Sequence, residues 1–292
     1  MQTPACALLG ILILAALSRK WSLPFLPSFQ ILVGSTLLAQ AVITIMGLES
    51  DSWYPGVIVI VCQVFFYGVI VLWRFYRDPE RIPPDNPDGV LSPADGRVIY
   101  IRRTGGEQIP TCEKSKRTFA LEELKGSSLA GREVWQIGIS MVFTDVHVNR
   151  SPIAGKVSLI HRRPGRFLSL RHHDALGVNE RQTLVIENGH VQVGVVQIAS
   201  RLVRRIEAFV SQGDSVQAGQ RIGVIKFGSQ VDLIIPVDVV QAVGVRVGQT
   251  LVAGQTVIGR LSPVSESRAL GMAEGISPQI SRSRISSEAS CQ

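Results

Sequence analysis

The segment KFGSQVDLIIP, residues 226–236, places a Gly228–Ser229 bond between one apolar run and the next. Glycine adopts backbone angles that other residues avoid, and it leaves its carbonyl carbon open to attack. Given a base that takes its proton, the Ser229 hydroxyl could attack this carbonyl and convert the amide into an ester. Elimination from the ester would leave dehydroalanine, and hydrolysis of dehydroalanine would leave a pyruvoyl group at a new N-terminus. The pair therefore has the groups that self-cleavage needs.

Gly-Ser pairs also occur in ordinary tight turns, and an isolated pair favours that interpretation. This chain has two others, at residues 34–35 and 126–127. The prediction of a cleavage site at Gly228–Ser229 consequently needs support from residues elsewhere in the chain.

Two upstream motifs contain an acid and a histidine of the kind that such a cleavage requires. LSPADGRV, residues 91–98, holds Asp95, and FTDVHVNRSPIAG, residues 143–155, holds His147. A carboxylate that orients a histidine favours its charged form. A histidine within reach of Ser229 would act as a general base and later as a proton donor. The structural alternatives are that Asp95 only caps its turn and that His147 is a satisfied strand residue.

The other histidines and the cysteines give no ligand pattern. Neighbouring residues of a strand point to opposite faces, which argues against a metal shared by His172 and His173. No carboxylate or cysteine stands at ligand spacing to them, so we expect no metal. The four cysteines are scattered without a CxxC motif, which is typical of a reducing compartment.

The elements that must position these residues begin with hydrophobic segments in residues 1–76. Residues 29–48 and 55–73 each have about the length of a bilayer crossing, whereas residues 5–17 are apolar but shorter. The connection between the two long segments, ESDSWYP, is acidic and aromatic. Basic residues flank the pair on both outer sides: Arg19 and Lys20 before it, and Arg74, Arg77 and Arg81 after it.

By the positive-inside rule, this charge distribution predicts a transmembrane hairpin with both ends on the cytoplasmic side of the cell membrane. The formal net charge of +7 favours anionic partners. The chain lacks interleaved aromatic and basic residues and zinc-finger spacing, so we expect a membrane surface and no nucleic acid. Arg74, Arg77 and Arg81 would then either set the topology alone or also hold the domain against anionic headgroups.

Residues 77–261 have the pattern of a compact, mainly-β domain. It opens with a Pro- and Asp-rich linker. Short β-rich runs separated by Gly, Asn and Pro turns follow: GRVIYI, VWQIGISMVF, GKVSLI, QTLVIE and VQVGVVQI. Residues 197–209 are the one segment of this domain for which we predict a helix. Residues 262–292 are rich in Ser, Arg and Glu, which predicts a disordered tail.

A weak internal repeat lies near the end of this domain. Residues 213–225 and 248–261 both contain Ala-Gly-Gln followed by an apolar run, which resembles the sandwich folds of lipoyl and biotinyl carriers. Those carriers present a lysine on a tight hairpin turn, and Lys226 stands instead at the end of a predicted strand. The repeat therefore predicts a β-sandwich-like fold without a carrier function.

In combination, these motifs resemble those of phosphatidylserine decarboxylases. RDPER, SPADGRV, DVHVNRSPIAGKV, NER (residues 179–181) and KFGSQVDLIIP occur in the order and approximate spacing of that family, across residues 74–261. The chain resembles the short branch of the family, which has an N-terminal membrane hairpin. The resemblance implies self-cleavage at Gly228–Ser229 by a triad of Asp95, His147 and Ser229. The products would be a β chain that ends at Gly228 and an α chain that begins at residue 229.

The resemblance also implies the reaction and its cofactor. Ser229 would become a covalent pyruvoyl group that forms a Schiff base with the amine of phosphatidylserine and takes up electrons as CO2 leaves. His147 would supply the proton that completes phosphatidylethanolamine. Gln230 departs from the Ser or Thr that many members carry after the cleavage serine, which bears on the efficiency of processing.

Two alternatives stay open. Archaetidylserine presents the same headgroup on an ether-linked backbone and is the alternative substrate. A non-catalytic, membrane-tethered carrier or adaptor with a lipoyl-like sandwich is the alternative function, and it would remain one intact chain. The oligomeric state is open as well, a homodimer included.

Overall fold

The structure is a computed structural model that describes most of the chain outside the C-terminal segment. The described residues are 2–20, 25–48, 52–104, 111–114, 117–120, 124, 127–165, 179–189, 191–199, 206–225 and 229–262. The predicted tail, apart from residue 262, lies outside them, as do Gly228, His172 and His173.

Three helices precede the β-rich part of the described chain. They are α1 (Gln2–Lys20), α2 (Phe25–Ile45) and α3 (Tyr54–Tyr76). The segments Ser28–Ile45 and Tyr54–Tyr76 are long and apolar enough to cross a membrane by length and composition, whereas α1 has a shorter apolar stretch. The predicted fold class, mainly β with apolar helices at the N-terminus, is confirmed.

The three helices pack around a buried glutamine. Gln63 of α3 is fully buried. Its Nε2 atom donates hydrogen bonds to Thr36 Oγ1 of α2 at 2.8 Å and to the Ala7 carbonyl of α1 at 3.2 Å. Ser18 of α1 donates to the Tyr67 hydroxyl of α3 at 3.1 Å. Such bonds join helices whose apolar surroundings offer no other polar partner.

The chain leaves α3 at the start of the RDPER motif. Arg77 follows the helix with extended backbone angles, φ −63° and ψ 139°. Pro79 disfavours helical angles for the residue before it, Asp78, and so prevents α3 from continuing. Residues 77–88 then run without a helix or strand to the first β-strand.

The largest sheet of the described residues has eight strands, all paired antiparallel. In spatial order they are β11 (Ser215–Val216), β7 (Gly155–Arg163), β8 (Arg181–Asn188), β9 (Val191–Ala199), β13 (Ser229–Pro236), β5 (Val134–Met141), β2 (Gly96–Thr104) and β15 (Thr250–Leu251). The five β-rich runs predicted from the sequence correspond to β2, β5, β7, β8 and β9.

Three smaller sheets complete the described architecture. They are β1 (Gly89–Leu91) with β16 (Val257–Leu261) and β14 (Val240–Val243); β10 (Ile206–Ala208) with β12 (Arg221–Ile225) and β6 (Val148–Arg150); and the hairpin of β3 (Thr111–Lys114) with β4 (Arg117–Ala120). A 3-10 turn, Val237–Val239, joins β13 to β14.

The two copies of the internal repeat supply the strands at the two edges of the large sheet. β11 pairs with the start of β7 at one edge, and β15 pairs with the start of β2 at the other. The amide of Gly219 donates to the Ser151 carbonyl, and the amide of Gly254 donates to the Ser92 carbonyl, both at 2.8 Å. Both glycines have positive φ, 77° and 70°, which other residues rarely adopt.

The helix predicted over residues 197–209 is wrong. Residues up to Ala199 belong to β9, and Ile206–Ala208 form β10, while residues 200–205 lie outside the described part. The polar residue Gln197 obscured the strand pattern, because it is fully buried on the sheet. Its amide is satisfied by Gln182 at 2.8 Å and by Asn149 at 2.7 Å.

Candidate active site

Ser229 is the first residue of the central strand β13. Its backbone pairs with Met141 of β5 on one side and with Ala199 of β9 on the other. The three residues before it, 226–228, lie outside the described part, so the geometry of the Gly228 carbonyl is not described. Because β13 and β5 are antiparallel, Ser229 at the start of β13 lies beside Met141 at the end of β5.

His147 lies beside the strand that leads to this bond. Its carbonyl accepts a hydrogen bond from the Ile225 amide at 3.2 Å, and the next residue, Val148, pairs with Val224 of β12. His147 therefore lies next to the end of β12 at Ile225, which is four residues before Ser229 in the chain.

The imidazole of His147 is buried, with 1% of its surface exposed. Nδ1 is 2.8 Å from the Asp145 carbonyl, which can only accept, so the proton of a neutral ring belongs on Nδ1. Nε2 is then a lone-pair nitrogen, and it is buried without a hydrogen-bond partner in the described residues. A buried, unpaired nitrogen of this kind is available to a proton from a reacting group.

Burial lowers the pKa of His147 to about 4, because the charged ring loses its hydration. The hydrogen bond to the Asp145 carbonyl and the charge of Asp95 oppose this shift in pKa, and the charge of Arg77 adds to it. His147 is consequently neutral at physiological pH, the form in which Nε2 accepts a proton.

Asp95 is bound to Arg81 and to a backbone amide. Arg81 Nη1 is 2.5 Å from Asp95 Oδ1, and Arg81 Nη2 is 2.8 Å from Oδ2. The Ala253 amide donates to Oδ1 at 2.8 Å. The structure therefore does not join Asp95 to His147 by a hydrogen bond, although the charge of Asp95 reaches the imidazole.

The same ion pair changes the interpretation of Arg81. Its side chain is only 7% exposed, so Arg81 is not available to a membrane surface. This contradicts, for Arg81, the expectation that the basic cluster holds the domain against anionic headgroups. Sequence reasoning missed this contact, although both partners stand in the motifs RDPER and SPADGRV.

The rest of the RDPER motif is also fixed to the β domain. Asp78 accepts from Arg150 Nη2 at 3.2 Å and from Arg221 Nε. Arg221 also donates to Glu80 at 2.6 Å, and Arg150 donates to the Pro79 carbonyl at 3.0 Å. The linker after α3 is thus held by β6, which directly follows His147, and by β12, which leads to Ser229.

The NER motif supports the strand next to Ser229. Asn179 is buried, and its Nδ2 donates to the Ala199 carbonyl at 2.8 Å. The Ala199 amide donates to the Glu180 carbonyl at 3.0 Å. Glu180 in turn accepts from Arg162 Nε at 2.8 Å. Because Ala199 is a sheet partner of Ser229, the motif fixes the position of the candidate nucleophile.

Gln230, next to Ser229, belongs to a buried polar cluster. Its Nε2 donates to Asp232 Oδ1 at 2.7 Å and to the Tyr100 hydroxyl at 3.0 Å. Asp232 is fully buried, and its Oδ2 accepts from Tyr100 at 2.6 Å and from Gln136 Nε2 at 2.8 Å. Gln230 is therefore a structural anchor for the start of β13.

A pocket of about 290 Å³ lies between His147 and the end of α3. Phe75, Tyr76 and Arg77 form one wall, and His147 and Val148 form another. The Phe75 ring is tilted against the His147 ring with the centroids 4.5 Å apart. Residues of β10, β12 and the turn after β10 close the pocket: Glu207, Phe209 and Val224. Sequence reasoning missed Phe75, which had only the character of an interfacial aromatic residue.

Comparison with known families gives one finding. The family model described as phosphatidylserine decarboxylase matches residues 70–259, which is well over half of the chain. The match begins within α3 and ends within β16, so it includes the pocket, the linker and both ends of the large sheet. On this match the chain belongs to the phosphatidylserine decarboxylase family, and its activity is that of a decarboxylase.

Proposed function

We propose that the chain cuts itself between Gly228 and Ser229 and that the processed protein converts phosphatidylserine into phosphatidylethanolamine and CO2. The observation that carries this proposal is the neutral imidazole of His147. Its Nε2 is buried without a partner, beside the strand that leads to the bond. A neutral imidazole with a free nitrogen can accept the proton of a serine hydroxyl.

In the proposed self-cleavage, His147 Nε2 takes the hydroxyl proton of Ser229 as Oγ attacks the Gly228 carbonyl. The amide C–N bond breaks, the Ser229 nitrogen is protonated, and Gly228 becomes esterified to Oγ. Loss of the Ser229 α-proton then expels the Gly228 carboxylate and leaves dehydroalanine. Water converts the dehydroalanine into the pyruvoyl group and releases ammonia.

The pocket beside His147 and the strand that begins at Ser229 suit such a group. The pocket offers an unpaired buried nitrogen on His147, and the backbone of residue 229 is held between β5 and β9. Once formed, the group supplies a carbonyl that takes the substrate amine and accepts the electron pair released with CO2. His147 moves the protons: burial keeps Nε2 free, and a proton taken up there is passed to the carbon that lost CO2.

The apolar helices fit a lipid substrate. We propose that α2 and α3 cross the cell membrane as a hairpin and that the β domain lies on the cytoplasmic side. Since Phe75, in the last turn of α3, contacts His147, the pocket then opens at the level where lipid headgroups lie.

The test is an intact-mass and electrophoresis measurement on purified full-length protein. Processing after Gly228 gives two chains of 228 and 64 residues (292 − 228 = 64), and the smaller resists Edman degradation because it lacks a terminal amine. Ser229→Ala should remain one chain and release no CO2 from phosphatidylserine.

The matched control is Ser127→Ala, at another Gly-Ser pair of the chain. The Ser127 hydroxyl donates to the Leu124 carbonyl at 2.8 Å and accepts from the Leu129 amide at 3.3 Å, and its variant should process normally. A single uncut chain from an active wild-type preparation, or an active Ser229→Ala, would refute the proposal. Running the assay in parallel on diacyl and ether-linked serine lipids decides between the two candidate substrates.

A further inference from the structure

Arg77 lies where the chain passes from α3 into the β domain. It is the first residue after the helix and one of three consecutive residues that form a wall of the His147 pocket. Its side chain is half-buried. Burial lowers the pKa of His147 and raises the pKa of Asp145, and the charge of Arg77 adds to the first shift and opposes the second. The guanidinium therefore lies within electrostatic reach of the pocket.

Arg77 differs from the other arginines around the linker. Arg81 is paired with Asp95, Arg150 with Asp78, and Arg221 with Asp78 and Glu80. Arg77 makes no hydrogen bond or ion pair with any residue that the structure describes. The linker therefore uses three guanidinium groups for its own attachment and leaves a fourth at the pocket.

The pocket contains a second unpaired polar group. This group is His147 Nε2, which is buried and has no hydrogen-bond partner among the described residues. The remaining walls are mainly apolar, with Phe75, Phe209 and Val224, and they also include Glu207. A cation without a partner at a mainly apolar cavity indicates a ligand that carries an anionic group, and the lone-pair nitrogen can accept a proton or a hydrogen bond from the same ligand.

A serine phospholipid carries two anionic groups, a carboxylate and a phosphodiester, and only the carboxylate is lost in the reaction. The carboxylate leaves as CO2, so an arginine bound to it would stabilise the ground state more than the transition state and slow the reaction. The phosphodiester keeps its charge throughout. Binding energy from this non-reacting group can position the substrate without raising the barrier, and the guanidinium fork matches phosphate oxygens.

The position of Arg77 directly after α3 supports binding to the phosphodiester. Trp73 and Tyr76 at the end of α3 are 69% and 63% exposed, as is typical of residues at the level of lipid headgroups. A phosphodiester of the same leaflet lies at that level, while the serine extends beyond it toward His147.

We propose that Arg77 binds the phosphodiester of the lipid substrate and thereby positions the serine headgroup against His147. The inference rests on the proposed decarboxylation for the identity of the substrate. It assigns Arg77 a role that the arginine cluster as a whole does not have, because Arg81 is buried in an ion pair.

The test compares two soluble substrates that differ in the phosphodiester. Glycerophosphoserine has the full headgroup, and an O-alkyl ether of serine has the amine and carboxylate without phosphate. We expect Arg77→Gln in full-length protein to lower kcat/KM for glycerophosphoserine about tenfold or more, mainly through KM. We expect kcat/KM for the ether to stay within about twofold of wild type, and Arg77→Lys to be intermediate.

Arg246→Gln is the matched control, since it removes the same charge from an exposed turn away from the pocket; it should leave both substrates unaffected. Equal losses for both substrates would mean that Arg77 binds the carboxylate, and would overturn the proposal. Normal rates on both soluble substrates with a loss only on phosphatidylserine vesicles would also overturn it, in favour of general membrane attachment.

A binding measurement separates this proposal from the proposed function. Glycerophosphoserine is titrated into Ser229→Ala protein by NMR, with and without Arg77→Gln, so that neither processing nor turnover is needed. Weaker binding in the double variant supports the role of Arg77 even if the wild type proves inactive, which would refute only the decarboxylation. Unchanged binding, or tighter binding of inorganic phosphate than of glycerophosphoserine, contradicts a lipid phosphodiester site.

Discussion

Arg81 holds both carboxylate oxygens of Asp95, at 2.5 and 2.8 Å, and so joins the linker after α3 to the turn SPADG. The side chains of the pair are 7% and 13% exposed. Arg81 Nη1 also donates to the Ala253 carbonyl at 2.9 Å, in the second copy of the internal repeat. One guanidinium thus connects three segments that are distant in the sequence.

Removal of Arg81 should destabilise the fold, because it leaves Asp95 as a buried charge without its cation. We expect Arg81→Met to lower the free energy of unfolding by about 3 kcal/mol or more and to reduce the processed fraction. Thermal unfolding in detergent and electrophoresis measure the two effects. Arg103→Met is the control, since its pair with Glu133 is 50% exposed on both sides, and it should cost less than about 1 kcal/mol. Equal effects of the two variants would contradict a special role for the buried pair.

The low pKa of His147 predicts a loss of stability in acid. The folded-state pKa is about 4, below the ordinary value of 6.5, so the unfolded chain binds more protons between these two values. Stability should therefore fall as the pH is lowered from about 6.5 to about 4, by about 3 kcal/mol for this group, and the contribution is fully present above that window.

The measurement is the unfolding midpoint at about pH 7 and about pH 4.5, in Ser229→Ala protein so that all samples are single chains. His147→Gln should show a smaller drop than its parent between these two conditions. His161→Gln, at an exposed position of β7, should show the parental drop. If His147→Gln also has the parental drop, the imidazole is not the buried neutral base described here.

The cluster around Asp232 should matter for both stability and processing, since it anchors the strand that begins at Ser229. Tyr100→Phe removes the 2.6 Å hydrogen bond to Asp232 and should cost about 1–3 kcal/mol. Gly138→Ala should act in the same direction, because a Cβ atom there would lie 2.4 Å from the Tyr100 ring. Tyr54→Phe is the control, because the Tyr54 hydroxyl has no partner among the described residues. Normal stability of both cluster variants would contradict a stabilising role for the cluster around Asp232.

Gln63 should stabilise the helical bundle. Gln63→Leu loses the bonds to Thr36 and Ala7, and we expect a loss of about 0.5–1.5 kcal/mol in the free energy of unfolding in detergent. Gln40→Leu, at an exposed position of α2, is the control and should be neutral or stabilising. A more stable Gln63→Leu would show that apolar packing outweighs these bonds.

Much of the fold could be predicted because its elements have strong local patterns. The long apolar runs indicated α2 and α3, and the alternating runs between turn residues indicated β2, β5, β7, β8 and β9. The pattern failed at residues 197–199, where a buried glutamine stands at a position that an apolar residue would normally occupy. Its partners, Gln182 and Asn149, are supplied by other strands, so no local rule could identify it as a strand residue.

The candidate site was only partly predictable for a related reason. Residue type and motif indicated His147 and Ser229, and the structure places both at strand ends around β12 and β13. The partners of Asp95 could not be predicted, because Arg81 and the Ala253 amide reach it through tertiary folding. The similar turn SPIAG, residues 151–155, gave no help with this contact, since it has Ala154 where SPADG has Asp95.

The contact between Phe75 and His147 leaves no flexible tether between α3 and the pocket. With α3 in a bilayer and a serine phospholipid as the substrate, as proposed, the pocket stays at one height above its own leaflet, and encounter with the substrate becomes a search by lateral diffusion in two dimensions. The rate then depends on the mole fraction of the serine lipid in that leaflet. Mixing in a neutral lipid would slow turnover, whereas adding buffer to the same vesicles would not.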